Sequence, residues 1–144
     1  MKPDELFDSF LSGTVYRDKQ VDARGVHLTV DSIFSIEDAG QIDFGGGEHE
    51  ECCTVEIEPQ KRSEDDDYGW WDLAGGHYRV VFNESIKAAT DGMLLVPNER
   101  ILACGCHLAS TLALEGPIET VLVVPEVGVS IKENARVALL HPLR

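Results

Sequence analysis

Apolar and polar residues alternate along several short stretches of the chain, and a period of two is the mark of a strand with one buried face. Val26-His27-Leu28-Thr29-Val30, Cys53-Thr54-Val55-Glu56-Ile57 and Val127-Gly128-Val129-Ser130-Ile131 follow this pattern and are rich in β-branched side chains. They are expected as half-buried strands. Val121-Leu122-Val123-Val124 is a continuous apolar run closed by Pro125, the pattern of a strand buried on both faces. Turn signals at Gly45-Gly46-Gly47, Gly75-Gly76, Asp91-Gly92 and Gly116-Pro117 recur too closely for long helices to fit between them. A helical period shows only from Pro3 to Leu11, where Leu6, Phe7, Phe10 and Leu11 form a stripe behind an acidic first turn. The pattern predicts an all-β barrel or jelly roll with one short N-terminal helix.

Composition narrows the function classes. A length of 144 residues suits one domain spanning residues 1–144 around one core. Lys and Arg number 12 against 26 Asp and Glu, a formal net charge of −14. Such a surface repels a phosphate backbone and argues against nucleic-acid binding. No apolar run approaches the roughly 20 residues of a membrane span, and MKPDELFDSF has no signal-peptide character, so a soluble cytoplasmic protein without a membrane partner is expected.

The charge is concentrated in one place. Between Glu37 and Asp67 there are twelve acids against Lys61 and Arg62, a net of −10, which leaves −2 for residues 1–36 and −2 for residues 68–144. This acidic insert, about residues 37–67, reads as a solvated loop or edge hairpin. The consecutive carboxylates Glu64, Asp65, Asp66 and Asp67 lack the alternating spacing and turn glycine of a calcium loop. The four cysteines, Cys52, Cys53, Cys104 and Cys106, lack the C-x₂₋₄-C spacing of a zinc site, and a reducing compartment argues against disulfides. They are expected as small buried thiols with no metal.

Three blocks together resemble the dUTPase and dCTP deaminase superfamily. Arg24 to Phe34, RGVHLTVDSIF, resembles its early strand; Leu73 to Ile86, LAGGHYRVVFNESI, resembles its glycine turn, strand and closing NE pair; Val127 to Leu140, VGVSIKENARVALL, resembles its final hairpin. The resemblance implies a dUTPase-like β-barrel, a homotrimer with active sites between subunits, and deoxynucleoside triphosphate chemistry with Mg²⁺. The implied reactions are hydrolysis of dUTP to dUMP and pyrophosphate, or removal of the exocyclic amine of dCTP. In both, a carboxylate activates water and cations neutralise the phosphates.

Val96 to Ala103, VPNERILA, aligns by its proline with the family's P-R-S-S-L-x-R phosphate stretch. Asn98 takes the first arginine position, Glu99 and Arg100 the serines, and Ala103 the later arginine. Glu99 then sets an anion where a triphosphate approaches. The family's D-x-G-Y/F-x-G turn is represented by Ser110 to Pro117, about three residues shorter, with only Glu115-Gly116 matching its tail; Leu112 and Leu114 stand where a water-binding group and an aromatic are implied. The deaminase V-L-E strand corresponds to Val121-Leu122-Val123, without its glutamate. The nucleotide-binding candidates are Asn98, Glu99, Arg100 and Gly116. His107 and Glu115, with Glu119 nearby, are the candidates for a rebuilt water-activating site. His27, at the family's aspartate position, is expected on a polar strand face, at the surface or an interface. Trp70 and Trp71 are expected to cover an interface or barrel end, or else to stack on a base. Two readings follow: a catalytically degenerate member kept as a nucleotide-binding or oligomeric scaffold module, or an active dUTP diphosphatase or dCTP deaminase rebuilt from Arg100, His107 and Glu115.

Overall fold

Strands make up most of the structure, a computed structural model that describes residues 1–87 and 92–143. Asp91 of the expected Asp91-Gly92 turn lies outside the described residues. Pro3 opens α1 (Pro3–Glu5), at a position where its missing N–H leaves no bond unmade, and the chain widens into a π-helical turn over Leu6–Phe10. Leu6 is fully buried and Phe7 and Phe10 pack against the core, as the apolar stripe requires.

The chain continues through β1 (Leu11–Ser12), α2 (Arg17–Gln20), β2 (Val21–Asp22), β3 (Gly25–Asp38), β4 (Cys53–Ile57), β5 (Trp70–Leu73) and β6 (Gly76–Ile86). Then follow β7 (Met93–Pro97), α3 (Glu99–Ala103), β8 (His107–Leu108), β9 (Thr111–Ala113), β10 (Gly116–Val124), β11 (Val129–Lys132) and β12 (Arg136–Pro142). The main sheet runs β8-β10-β6-β3-β12-β7-β9, with β1 added to β6 and β2 and β4 added to β3. It curls into a half-barrel. β11 and β5 form a separate ribbon, so the all-β expectation holds.

Alternation sets the faces. In β6, Tyr78, Val80, Phe82, Glu84 and Ile86 point inward, and in β10 the same face carries Ile118, Thr120, Leu122 and Val124. The run Val121–Val124 departs from expectation here: Leu122 and Val124 are buried, whereas Val121 and Val123 are only half-buried. Val121 and Val123 project to the opposite face of the sheet from Leu122 and Val124, and β8 flanks β10 within the sheet without covering that face. Val127 also departs, being 94% exposed, because Gly128 at φ 86° turns the chain and the strand begins at Val129. The single-turn helices α2 and α3 were not expected; each is stabilised by one buried amide side chain, Gln20 or Asn98.

β4 pairs with β3 at the sheet edge, so part of the acidic stretch is an edge hairpin, its connecting loop at residues 39–52. Of the four thiols only Cys106 is buried; Cys52 is half-buried and Cys53 and Cys104 are exposed, because Cys53 lies on the edge strand and Cys104 closes a helix at the surface. All four are free.

Candidate functional site

The connection from β7 into α3 carries the residues that align with the family's phosphate stretch. Pro97 cannot continue a strand ladder as a donor, and Asn98 then leaves the sheet with extended backbone to cap α3. Its Oδ1 accepts the N–H groups of Arg100 and Ile101, both at 3.1 Å, and its Nδ2 donates to the Arg136 carbonyl at 2.9 Å. Asn98 is 2% exposed. Both ends of its amide are therefore committed to holding α3 against β12. Asn98→Ala is expected to cost about 1–2 kcal/mol, a lost cap plus an unpaired carbonyl, read as a lower urea midpoint with unchanged slope.

Glu99 and Arg100, next in line, diverge. The Glu99 carboxylate accepts from Arg24 Nη1 at 2.6 Å, and Arg24 Nη2 donates to Asp22 at 2.9 Å. Asp22 in turn lies 2.7 Å from His27 Nε2, and His27 Nδ1 is 3.5 Å from Asn98 Nδ2. The turn between β2 and β3 makes this chain possible. Gly25 sits at φ 151°, and a Cβ there would stand 2.5 Å from the Leu140 carbonyl, so only glycine lets Asp22 and Arg24 close against β12. Partial desolvation pushes the Asp22 carboxyl up, but hydrogen bonds from Arg24 and His27 outweigh it and hold it far below the usual carboxylate range. The Arg24 bond likewise lowers Glu99, and its two carboxylate partners raise Arg24. Asp22, Arg24 and Glu99 thus hold one another in their charged forms.

His27 corrects the expectation of a surface or interface residue. It is 5% exposed, its two ring nitrogens lying against Asp22 from β2 and the buried Asn98 at the start of α3. Arg100 has no carboxylate partner among the described residues. It lines an open cleft of about 390 Å³ between α3, β5 and the β11–β12 hairpin. Lys132, Arg136, Trp70 and Cys104 share the wall, with Glu133 the one carboxylate among them. Trp70 is half-buried and stacked by the Arg62 guanidinium, 3.8 Å from its ring centre; Trp71 is 2% exposed and donates Nε1–H to the Ile57 carbonyl at 2.8 Å. So Trp71 closes the interior and Trp70 faces the cleft.

The rebuilt-site candidates are not brought together within the chain. His107 is exposed and pairs with Val123 at one end of β10, whereas Glu115 precedes Gly116, which pairs with Ile86 at the other end. Seven strand residues at about 3.3 Å each separate the two by roughly 20 Å. Gly116 adopts φ 109° as β10 begins, and Glu119 is held by Arg79 at 3.2 Å. Leu112 and Leu114 are 61% and 64% exposed, with no polar group in their place. Among the described residues no three His, Cys, Asp or Glu side chains converge as a metal site. Mg²⁺ prefers one or two free carboxylates beside phosphates, and Glu99 and Glu119 are both tied to arginines, so these residues do not fit a resident ion.

One buried carboxylate, the glutamate of the NE pair, was given no role from the sequence. Glu84 is wholly inaccessible and accepts from Thr29 N at 2.8 Å, Thr29 Oγ1 at 2.6 Å and Gln20 Nε2 at 3.1 Å. Its signal was present: it occupies an inward position of β6 between Phe82 and Ile86.

Comparison with known proteins agrees with this frame. The chain is 30% identical over 135 residues to a probable deoxyuridine 5'-triphosphate nucleotidohydrolase of Methanosarcina mazei, covering 90% of this chain and 75% of that one. A protein of the same description from Archaeoglobus fulgidus is 25% identical over 130 residues, covering 87% and 73%. The crystal structure of 2'-deoxycytidine 5'-triphosphate deaminase from Agrobacterium tumefaciens superposes with a TM-score of 0.61 at 12% identity; it covers 95% of this chain, which spans 44% of that one. No protein-family model matches. The half-barrel thus has the all-β dUTPase-like fold. The chain belongs to the dUTPase/dCTP deaminase superfamily.

Proposed function

We propose that this chain is a catalytically silent member of its superfamily, kept as a deoxynucleotide-binding or assembly module in a homotrimer. The observation that carries this reading is the closed network Glu99–Arg24–Asp22–His27, with Asn98 buried beside it. The phosphate stretch holds an anion that is already neutralised from within, and its first polar side chain is spent as a helix cap. An approaching triphosphate would have to compete with Glu99 for Arg24. The exposed Leu112 and Leu114 support the same conclusion, since neither can orient or activate water.

A second reading, an active dUTP diphosphatase or dCTP deaminase using Mg²⁺, has two points in its favour: the description of the relatives, and Arg100 with no carboxylate partner beside an open cleft. It needs His107 and Glu115 to act with groups from another subunit, because one chain holds them far apart.

Purified protein incubated with dUTP or dCTP and magnesium decides between them. No release of pyrophosphate or ammonia above the protein-free blank is expected. Magnesium-dependent turnover that Arg100→Ala or Glu115→Gln lowers by about 10²-fold or more would overturn the silent reading.

A further inference from the structure

The loop at residues 39–52 is tied to itself. Gln41 and Glu50 exchange two backbone hydrogen bonds at 2.9 Å; the Asp43 carboxylate accepts the Gly46 and Glu48 N–H groups at 3.0 Å, and Gln41 Nε2 donates to the Glu48 carbonyl at 2.7 Å. This ordered loop nevertheless holds Ile42 88% exposed and Phe44 fully exposed. Large apolar side chains on a preorganised loop, ringed by polar groups, mark a contact surface. Along the chain the flanking charges are of one sign, Asp38, Asp43, Glu48, Glu50 and Glu51, with no lysine or arginine between Arg24 and Lys61; Arg79 of β6 meets the base of the loop beside Ile42, Glu50 and Glu51.

The complementary surface is on the same molecule. The cleft between α3 and the β11–β12 hairpin combines an apolar wall, including Trp70 and Ile131, with Arg100, Lys132 and Arg136. None of these three cations has a carboxylate partner among the described residues; Lys132 lies 5.6 Å from the Trp70 ring centre, and Arg136 donates to the Lys19 carbonyl. In a chain of net charge −14 this is where cations gather without partners, and aromatic side chains with arginine are what the centre of a protein interface favours. We propose that the Ile42–Phe44 tip of one copy of this chain inserts into the Arg100–Lys132–Arg136 cleft of a second copy. The tip supplies the apolar anchor, and the carboxylates around it meet the rim cations. Because loop and cleft are different surfaces, the contact is head-to-tail and closes into a ring when the rotation allows. It gives the assembly role proposed above a defined surface and rests on that role, not on the absence of turnover.

Cys104, exposed in the cleft wall, supplies the test. Phe44→Cys protein, half of it isotopically labelled, is oxidised mildly and its disulfides are mapped by mass spectrometry. The expected product is a disulfide between the introduced thiol and Cys104, joining labelled to unlabelled chains. Cys104→Ser should abolish it, and Arg100→Glu should lower its yield at least tenfold. In the parent protein, Phe44→Ala should shift the self-association midpoint to at least tenfold higher concentration; Phe44 is fully exposed, so folding is preserved. Absence of the inter-chain link, or a yield indifferent to Arg100→Glu, overturns the proposal. So does a rise in melting temperature with inorganic pyrophosphate when no link forms, which would make the cleft an anion site. Turnover in the nucleotide assay would overturn the silent reading and leave this contact standing, so the two failures are distinguishable.

Discussion

Glu84→Ala is expected to lower the unfolding free energy by about 3–5 kcal/mol, among the largest single-residue effects in the protein. The substitution leaves a cavity in the core and strips three donors of their acceptor: Thr29 N, Thr29 Oγ1 and Gln20 Nε2. Gln20 also accepts from Val15 and Tyr16 N–H and donates to the His27 carbonyl, so the damage spreads to α2. Glu84→Gln keeps the shape, but it turns an amide donor toward donors and should recover only part of the loss. The pH dependence separates charge from shape. Burial pushes the Glu84 carboxyl above its ordinary 4.5, against the pull of the Thr29 and Gln20 hydrogen bonds. The folded state therefore holds this proton more tightly than the unfolded chain does. The proton-linked stability from Glu84 is fully present below the unfolded value and is lost as pH rises through the folded value. Urea unfolding at a series of pH values should show stability falling across that window in the parent and a flatter profile in Glu84→Gln. Equal slopes, or a Glu84→Ala cost below about 1 kcal/mol, would refute this account of the core.

Trp71→Ala should cost a similar amount, about 3–5 kcal/mol. Its side chain is 2% exposed and links the β5–β11 ribbon to the half-barrel core, while Nε1–H satisfies the Ile57 carbonyl on β4. Truncation removes the largest buried side chain and leaves that carbonyl without a donor. Trp71→Phe keeps most of the apolar contact and should cost less, about 1–2 kcal/mol. The consequence reaches the cleft, because Trp70, Val129 and Ile131 of the same ribbon form its wall. Trp71→Ala should also diminish inter-chain cross-linking at Cys104. Retention of both stability and cross-linking would show that the ribbon is held by something other than Trp71.

Much of the fold was legible because the side-chain period of a strand is independent of its partners. Val26, Leu28 and Val30 alternate in the sequence and are all buried in β3. His27 and Thr29 were legible only as polar positions. Both are buried as well, since Asp22 and Asn98 close over His27 and Glu84 closes over Thr29, groups far from the strand in sequence or in another element. The phosphate-stretch substitutions could be read residue by residue, yet the fate of Glu99 could not. Its partner Arg24 is 75 positions away, and only the meeting of the β2–β3 turn with α3 joins them. His107 and Glu115 show the reverse error. They are eight residues apart in sequence, but the intervening β9 carries the chain to the opposite end of β10 before it turns back.

The sequence by itself determined the strand-rich class and the acidic stretch, because each depends on local periodicity or residue identity. Tertiary structure alone decided which charges neutralise one another, which donors satisfy the buried Glu84, and that an apolar acidic loop and a basic cleft coexist on one chain. Those properties depend on distances between residues far apart in sequence, and such distances are set by how the sheet closes.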